Sequence, residues 1–263
     1  MIAHAKINVC LFLGATRDDG RHELVSIMQS LAWGDEISAE PAERDEVVCP
    51  GVEGPNLAAD ALAAVPHDPP LRVTIGKRIP VAAGLGGGSA DAAAVLRLLG
   101  AEDRIDVAAA LGADVPAQLR PGRALATGAG EHVEALAPSP AYGVLVVPSP
   151  HALSTADVYR EADRLGLPRS PADLAARLGE VRAGLGAGPF GLAPELLVND
   201  LEPAARRLCP AIGETLDLVR AAGAARAMVS GSGPTVLGLF ADPSGAERAA
   251  ALIDGSIATT PLS

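Results

Sequence analysis

A glycine-rich segment that runs directly into a helical pattern is the part of this chain best suited to binding a phosphate. Four glycines lie between residues 80 and 90, and residues 91–99 follow with the apolar spacing of a helix that Gly100 ends. Glycine lets a ligand approach bare amides, and the N–H groups and dipole at a helix start favour an anion. We predict a phosphate-binding loop here, against the alternative of a flexible surface loop. Its residues are Pro80, Val81, Ala82, Ala83, Gly84, Leu85, Gly86, Gly87, Gly88, Ser89 and Ala90.

The segment differs from the two phosphate-binding motifs most often met in proteins. No Gly-Lys-Ser/Thr closes the run, as the P-loop requires, and the nearby lysine, Lys77, precedes it. A dinucleotide fingerprint that started at Gly84 would need glycine where Ser89 stands. The sequence therefore predicts a phosphate loop of another kind.

Lysine is rare in this chain, and its two positions are informative. Of the 21 lysine and arginine residues, only Lys6 and Lys77 are lysines. A lysine kept among so many arginines is expected where a compact ammonium is needed. Asp114 lies between Gly112 and Pro116, where a carboxylate can project into a cleft. The alternatives are an edge-strand lysine with its head in water and a solvated turn aspartate.

Composition limits the class of protein. The 263 residues suffice for one large or two modest domains, and 49% hydrophobic with 20% charged residues is ordinary for a globular protein. A net charge of −11 argues against nucleic acid or an anionic membrane as a partner. No apolar run reaches 18 residues, so we expect no membrane span and no signal peptide. The three cysteines suggest free thiols in a reducing cytoplasm and no metal site.

Strand and helix patterns alternate without a regular βαβ repeat. Residues 3–13 alternate as a half-buried strand, residues 23–30 are ambiguous, and residues 56–65 form a helix with Asn56 as its N-cap. After Pro148 the pattern becomes mainly helical. We predict an α+β chain of two domains, residues 1–148 and 149–263.

Several motifs, in order along nearly the whole chain, resemble those of the GHMP kinase superfamily. The glycine loop resembles its ATP loop, with a proline, a three-residue spacer and Gly-Leu-Gly. The branch it resembles most acts on a cytidyl-linked methylerythritol in non-mevalonate isoprenoid synthesis. The other matching segments are Ala5-Lys6-Ile7-Asn8, Asp19-Gly20-Arg21-His22-Glu23-Leu24, Gly112-Ala113-Asp114-Val115-Pro116, Ala124 to Glu131, Asn199-Asp200-Leu201-Glu202-Pro203 and Ser230-Gly231-Ser232-Gly233-Pro234.

The resemblance implies a fold and a reaction. The fold would be an N-terminal nucleotide domain like ribosomal protein S5 and a ferredoxin-like C-terminal domain, with the active site in the cleft between them. The reaction would be ATP- and Mg²⁺-dependent phosphorylation of a small-molecule hydroxyl. Lys6 and Asp114 would be the catalytic pair. The alternatives are another kinase of the superfamily, acting on homoserine, mevalonate or a sugar, and a non-catalytic nucleotide-binding protein.

The same resemblance implies that the acceptor is bound by Asn8, Arg21, His22, Thr155 and Tyr159. It leaves the metal ligands and the oligomeric state open. His22 would read the cytosine edge, and Arg21 stands where the family commonly has a tyrosine stacked on the base; a guanidinium plane also stacks on bases. The second glycine turn, residues 230–233, is expected to buttress the active site.

Overall fold

The computed structural model describes all residues from Met1 to Ser263, folded into two largely antiparallel sheets with helices packed on them. The strands are β1 (Ile2–Thr16), β2 (His22–Pro41), β3 (Glu46–Val48), β4 (Leu71–Gly76), β5 (Arg123–Thr127), β6 (His132–Ala135), β7 (Gly143–Val147), β8 (Arg226–Val229), β9 (Val236–Phe240) and β10 (Ile257–Thr259). The α-helices are α1 (Leu57–Ala64), α2 (Gly87–Leu98), α3 (Ile105–Leu111), α4 (Val115–Gln118), α5 (Thr155–Arg164), α6 (Pro171–Gly184), α7 (Glu202–Leu208), α8 (Ala211–Ala221) and α9 (Pro243–Ala250). None of these helices has the length and apolar character needed to cross a membrane.

The first sheet is built around the long strand β2, which pairs antiparallel with β1, β4 and β5. The parallel strand β3 extends the sheet beyond β4, and β6 pairs with β5 at the other end. The ambiguous residues 23–30 form part of β2, because partners on both sides take up their backbone hydrogen bonds. Helix α1 begins as predicted, with the Asn56 side chain accepting from the N–H of Ala58 at 2.9 Å.

The second sheet has the strand order β10-β7-β9-β8, with every neighbouring pair antiparallel. Helix α8 packs on β8 and β9, and α9 packs on β7, β9 and β10. With helices between β7 and β8 and between β9 and β10, this is the βαββαβ arrangement of a ferredoxin-like unit. The predicted α+β fold with a ferredoxin-like second unit is confirmed.

The two units share a core. One cluster of 24 buried residues joins Ile7 and Val9 of β1 to Val144 of β7 and Leu239 of β9. Strand β7 hydrogen-bonds within the second sheet, although it lies before the predicted boundary at residue 148. The division at 148 remains a prediction, and we propose from the strand pairing that the second unit begins just before Gly143.

Candidate active site

A cavity of about 590 Å³ lies between the two units, at the glycine loop. Both units supply its walls: β1, β2 and the loop from the first, and α5 with the turn at residues 230–233 from the second. Both lysines of the chain line it, and no arginine does. The cavity therefore has only two cationic side chains with which to meet an anionic ligand.

Strand periodicity explains how polar side chains reach this cavity from the middle of a sheet. In β1, Lys6 and Asn8 line the cavity, whereas Ile7 between them is fully buried in the core. In β2, Ser26 lines the cavity and its neighbour Ile27 is buried. Successive side chains of a strand point to opposite faces, so one face of β1 and β2 forms the site and the other the core.

The glycine loop has the backbone that the sequence predicted. Gly84 and Gly86 lie at φ +73° and +68°, and Gly86 is the N-cap of α2. A Cβ on Gly86 would lie 2.9 Å from Cγ and 3.0 Å from Cε of Lys6. At its far end the helix is followed by Gly100 at φ +66°, as predicted. The start of α2 thus presents its free N–H groups to the cavity, which suits a phosphate.

The second glycine turn supports this loop from the other unit, as predicted. The Ser230 hydroxyl donates to the Gly84 carbonyl at 3.0 Å, and a Cβ on Gly84 would lie 2.6 Å from the Ser230 carbonyl oxygen. Asn199 holds the turn in place, because its Nδ2 donates to the carbonyls of Val229 at 2.9 Å and Gly231 at 2.7 Å. Bare glycine backbone is therefore what allows the two units to meet here.

Lys6 and Asp114, the predicted catalytic pair, lie side by side in the cavity. Lys6 Nζ is 3.1 Å from Asp114 Oδ2 and donates to Asn8 Oδ1 at 2.9 Å. Asp114 directly precedes α4 but its side chain makes no capping hydrogen bond, which leaves the carboxylate available to the cavity. The Lys6 side chain is 8% exposed and that of Asp114 is 35% exposed. A hydroxyl that enters the cavity can thus reach the carboxylate, which is the geometry of a general base.

The second lysine, Lys77, joins the two ends of the glycine loop. Its Nζ lies 2.5 Å from Asp35 Oδ2 and 3.0 Å from Asp91 Oδ2 on α2. The other oxygen of Asp35 accepts from the N–H groups of Arg78 and Ile79, just before the loop. Burial raises the pKa of Asp91 to about 7, and the Lys77 ammonium offsets only part of that rise.

Helix α5 brings two predicted acceptor residues to the cavity. Thr155 and Tyr159 both line it, and the Thr155 hydroxyl lies 3.0 Å from that of Ser232. Burial raises the pKa of Tyr159 to about 12, with a smaller contribution from Asp114, so the phenol remains neutral. Asn8 lines the cavity as well.

His22 and Arg21, also predicted to bind the acceptor, do not line the cavity. The His22 ring packs behind that of Tyr159, with centroids 5.1 Å apart, and its Nε2 lies 2.7 Å from Asp163 Oδ1. Arg21 is exposed and its guanidinium pairs with Asp19 at 2.9 Å. The structure brings His22 next to the site and leaves Arg21 on the surface.

Three polar residues that support the site through hydrogen bonds were not predicted from the sequence. Ser26, Asp35 and Asp91 hold Asn8 and Lys77 in place through hydrogen bonds. The alternation of Leu24, Ser26 and Met28 along β2 was the available signal for Ser26, since all three line the cavity. No local sequence pattern indicates the role of Asp35 and Asp91, because their partner, Lys77, belongs to a different segment of the chain.

The fold and both matched family models are those of the GHMP kinases. Residues 55–122 match the model for the GHMP kinase N-terminal domain, and residues 181–253 match the one for the C-terminal part. A 4-diphosphocytidyl-2-C-methyl-D-erythritol kinase of Streptomyces avermitilis is 39% identical, over 94% of this chain and 89% of that protein. One of Nocardioides is 40% identical, over 97% and 93%. The chain belongs to the family of 4-diphosphocytidyl-2-C-methyl-D-erythritol kinases.

Solved structures agree with this assignment. A crystal structure of a 4-(cytidine 5′-diphospho)-2C-methyl-D-erythritol kinase matches with a TM-score of 0.80 and 33% identity, over 100% of this chain and 99% of that one. A homoserine kinase from Cytophaga hutchinsonii matches with a TM-score of 0.64 at 17% identity, over 98% and 94%, which shows the shared fold alone. As a GHMP kinase, the protein is an ATP-dependent phosphotransferase.

Proposed function

We propose that this enzyme transfers the γ-phosphoryl group of ATP to the 2-hydroxyl of 4-diphosphocytidyl-2-C-methyl-D-erythritol. The observation that carries the proposal is the Lys6–Asp114 pair, 3.1 Å apart beside the glycine loop, in a chain of this family. The product would serve isoprenoid precursor synthesis by the non-mevalonate route.

The loop amides, Asp114 and Lys6 have different roles in the proposed in-line transfer. The loop amides at the start of α2 hold the ATP phosphates, while Asp114 accepts the proton of the attacking hydroxyl. Lys6 holds the Asp114 carboxylate at 3.1 Å and meets the negative charge that develops on the phosphoryl oxygens. Because no side chain needs to carry the phosphoryl group, we propose a direct transfer without a covalent intermediate.

Mg²⁺ belongs to the proposal as an ion that enters with the nucleotide. Mg²⁺ is usually held by one or two protein oxygens together with substrate phosphates. The chain has no cluster of three or more His, Cys, Asp or Glu that could bind a metal by itself. Ser89 of the glycine loop lines the cavity, and its hydroxyl would supply a protein oxygen. When bound, the ion would neutralise charge on the transferred group.

The acceptor base is proposed to lie against Tyr159, with His22 behind it. Arg21 would stack on the base only by leaving Asp19, since the two side chains are paired at 2.9 Å. We expect Arg21→Ala to raise the acceptor KM by about tenfold if the stack forms, a cost within the range of base stacking. Arg21→Tyr should restore the acceptor KM, and neither change should alter the KM for ATP. Equal acceptor KM values in all three proteins would remove Arg21 from the acceptor site.

The three cysteines are free thiols, as is usual for proteins of a reducing compartment. We propose that the enzyme is located in the cytoplasm.

A coupled ADP-release assay tests the proposed reaction. Purified enzyme is given ATP, Mg²⁺ and either the diphosphocytidyl alcohol, homoserine, mevalonate or galactose, and the product is identified by ³¹P NMR. We expect turnover with the diphosphocytidyl alcohol and a kcat/KM at least about 10³-fold lower with the others. An alcohol without the cytidyl group would leave polar groups of the site without hydrogen-bond partners, which costs binding in the transition state. Preference for another alcohol would overturn the acceptor, and ATP binding without any ADP release would favour a non-catalytic protein.

A further inference from the structure

A chain of hydrogen bonds between nearly buried side chains runs from Lys6 along the cavity wall to the backbone of the first sheet. Lys6 Nζ donates to Asn8 Oδ1 at 2.9 Å, and Asn8 Nδ2 donates to Ser26 Oγ at 2.7 Å. Ser26 Oγ in turn donates to the Cys10 carbonyl at 2.6 Å. As whole residues Lys6, Asn8 and Ser26 are 6%, 3% and 1% exposed, so little water competes for these bonds.

The direction of each bond follows from the one proton on the Ser26 hydroxyl. A carbonyl oxygen only accepts, so Ser26 must donate its proton to Cys10 and can only accept from Asn8. The Asn8 carboxamide is thereby turned with its NH₂ toward Ser26 and its oxygen toward Lys6. The opposite orientation would set the amide NH₂ against the Lys6 ammonium and leave buried donors unpaired, at a substantial cost.

An irregularity in the strand pairing places these groups together. The β1–β2 register shifts between Asn8 and Cys10, which is the signature of a bulge. There the Ile27 N–H donates to Cys10 Sγ at 3.4 Å while the Cys10 carbonyl accepts from the Ser26 hydroxyl. Bulges next to functional sites redirect side chains, and this one lies where Ser26 bonds to the Cys10 carbonyl.

We infer that Ser26 is a positioning residue: it sets the Asn8 amide, which in turn holds the Lys6 ammonium against Asp114. The inference rests on the proposed role of Lys6 in phosphoryl transfer. Ser26 also lines the cavity, but its proton is committed to Cys10, so it has none to donate to a substrate. Its effect on the reaction is therefore exerted through Asn8 and not by contact.

The test combines kinetics with a direct view of Lys6. Because the chain has only two lysines, ¹³Cε-lysine labelling gives two NMR signals, which Lys77→Met assigns. The variants are Ser26→Ala, Ser26→Thr, Asn8→Ala and the Ser26→Ala/Asn8→Ala double variant. The matched control is Ser30→Ala, a buried serine of the same strand whose hydroxyl accepts from the Gly122 N–H at 3.1 Å.

We expect Ser26→Ala to shift the Lys6 signal, leave the Lys77 signal in place and lower kcat about tenfold, since small misplacements of a reacting group are costly. The KM values for ATP and acceptor should stay within about twofold, because the change acts through position and not binding. Ser26→Thr, which keeps the hydroxyl, should restore both the signal and kcat. The double variant should be no slower than Asn8→Ala alone.

Three results would overturn the inference: an unmoved Lys6 signal in Ser26→Ala, a raised acceptor KM at unchanged kcat, or losses that multiply in the double variant. If Ser26→Ala does not fold, Ser26→Cys keeps a weak donor of similar size and should give an intermediate kcat. The NMR comparison needs no acceptor. Failure of the proposed acceptor would therefore show in the wild-type assay alone and leave the test of Ser26 intact.

Discussion

Gly86→Ala should lower kcat strongly while it reduces the stability of the fold only modestly. Gly86 lies at φ +68°, a left-handed conformation that costs an L-residue about 1–2 kcal/mol. The added Cβ would also lie 2.9 Å from Cγ of Lys6, closer than real Cβ atoms approach their neighbours, and 3.0 Å from Cε. The lysine stem must therefore shift, and we expect this to displace the ammonium from its position beside Asp114.

The chain contains a matched control for the backbone part of this cost. Gly100 ends α2 at φ +66°, and a Cβ there would meet nothing within 4 Å. Gly100→Ala should therefore lose the same roughly 1–2 kcal/mol of stability, or about 2–8 °C in Tm for a chain of this size. Its kcat should stay at the wild-type value, because nothing near Lys6 changes.

The measurement is kcat by ADP release for both variants, with urea unfolding to compare their stabilities. Gly86→Ala should lose about 10–100-fold in kcat, the penalty expected when a catalytic group moves by less than 1 Å. Its loss of unfolding free energy should be close to that of Gly100→Ala if Lys6 absorbs the contact. Equal kcat in the two variants would refute the steric argument and with it the close fit between the loop and Lys6.

Three further predictions concern the charged groups of the site. Asp114→Asn should lower kcat by about 10²–10⁴-fold and leave ATP affinity by calorimetry unchanged, since it removes only the proton acceptor; near wild-type kcat would exclude Asp114 from the chemistry. Lys77→Met should cost about 3–5 kcal/mol of unfolding free energy in urea, because the fully buried Asp35 loses its cation; a loss below about 1 kcal/mol would contradict this pairing. The pKa of Asp91 is raised to about 7, so between about pH 4 and 7 this group holds a proton in the folded chain that it releases in the unfolded chain, and its contribution to stability falls as pH rises. Asp91→Asn should flatten that part of the stability curve, and an unchanged slope would show that Asp91 does not titrate there.

Local signals in the sequence were sufficient for the elements that carry their own start and stop residues. Helix α1 begins at its predicted cap, Asn56, and α2 runs from the glycine loop to Gly100. By contrast, β6 and β10 were not predicted. All four residues of β6 are exposed, so the strand shows no alternation, and β10 has three residues that are held by pairing with β7. Such strands exist because a neighbour offers hydrogen bonds, which a local pattern does not reveal.

The same limit applies to the site. Lys6 and Asp114 were predicted as a pair through the family resemblance, since their spacing in sequence carries no geometric information. Ser26 and Asp91 matter because of the partners that the fold gives them, Asn8 and Lys77. Each of these contacts joins different elements, so only the assembled sheet and loop show that they form.

The scarcity of lysine proved to be the most useful compositional signal, and the structure gives a physical reason for it. Both lysines line the cavity and no arginine does. The Lys6 stem runs past the bare Gly86 backbone with no space for one added carbon. The Lys77 ammonium occupies the gap between two carboxylates at 2.5 and 3.0 Å. A guanidinium is planar and larger and spreads its donors over a fork, so an arginine at either position would have to rearrange these contacts.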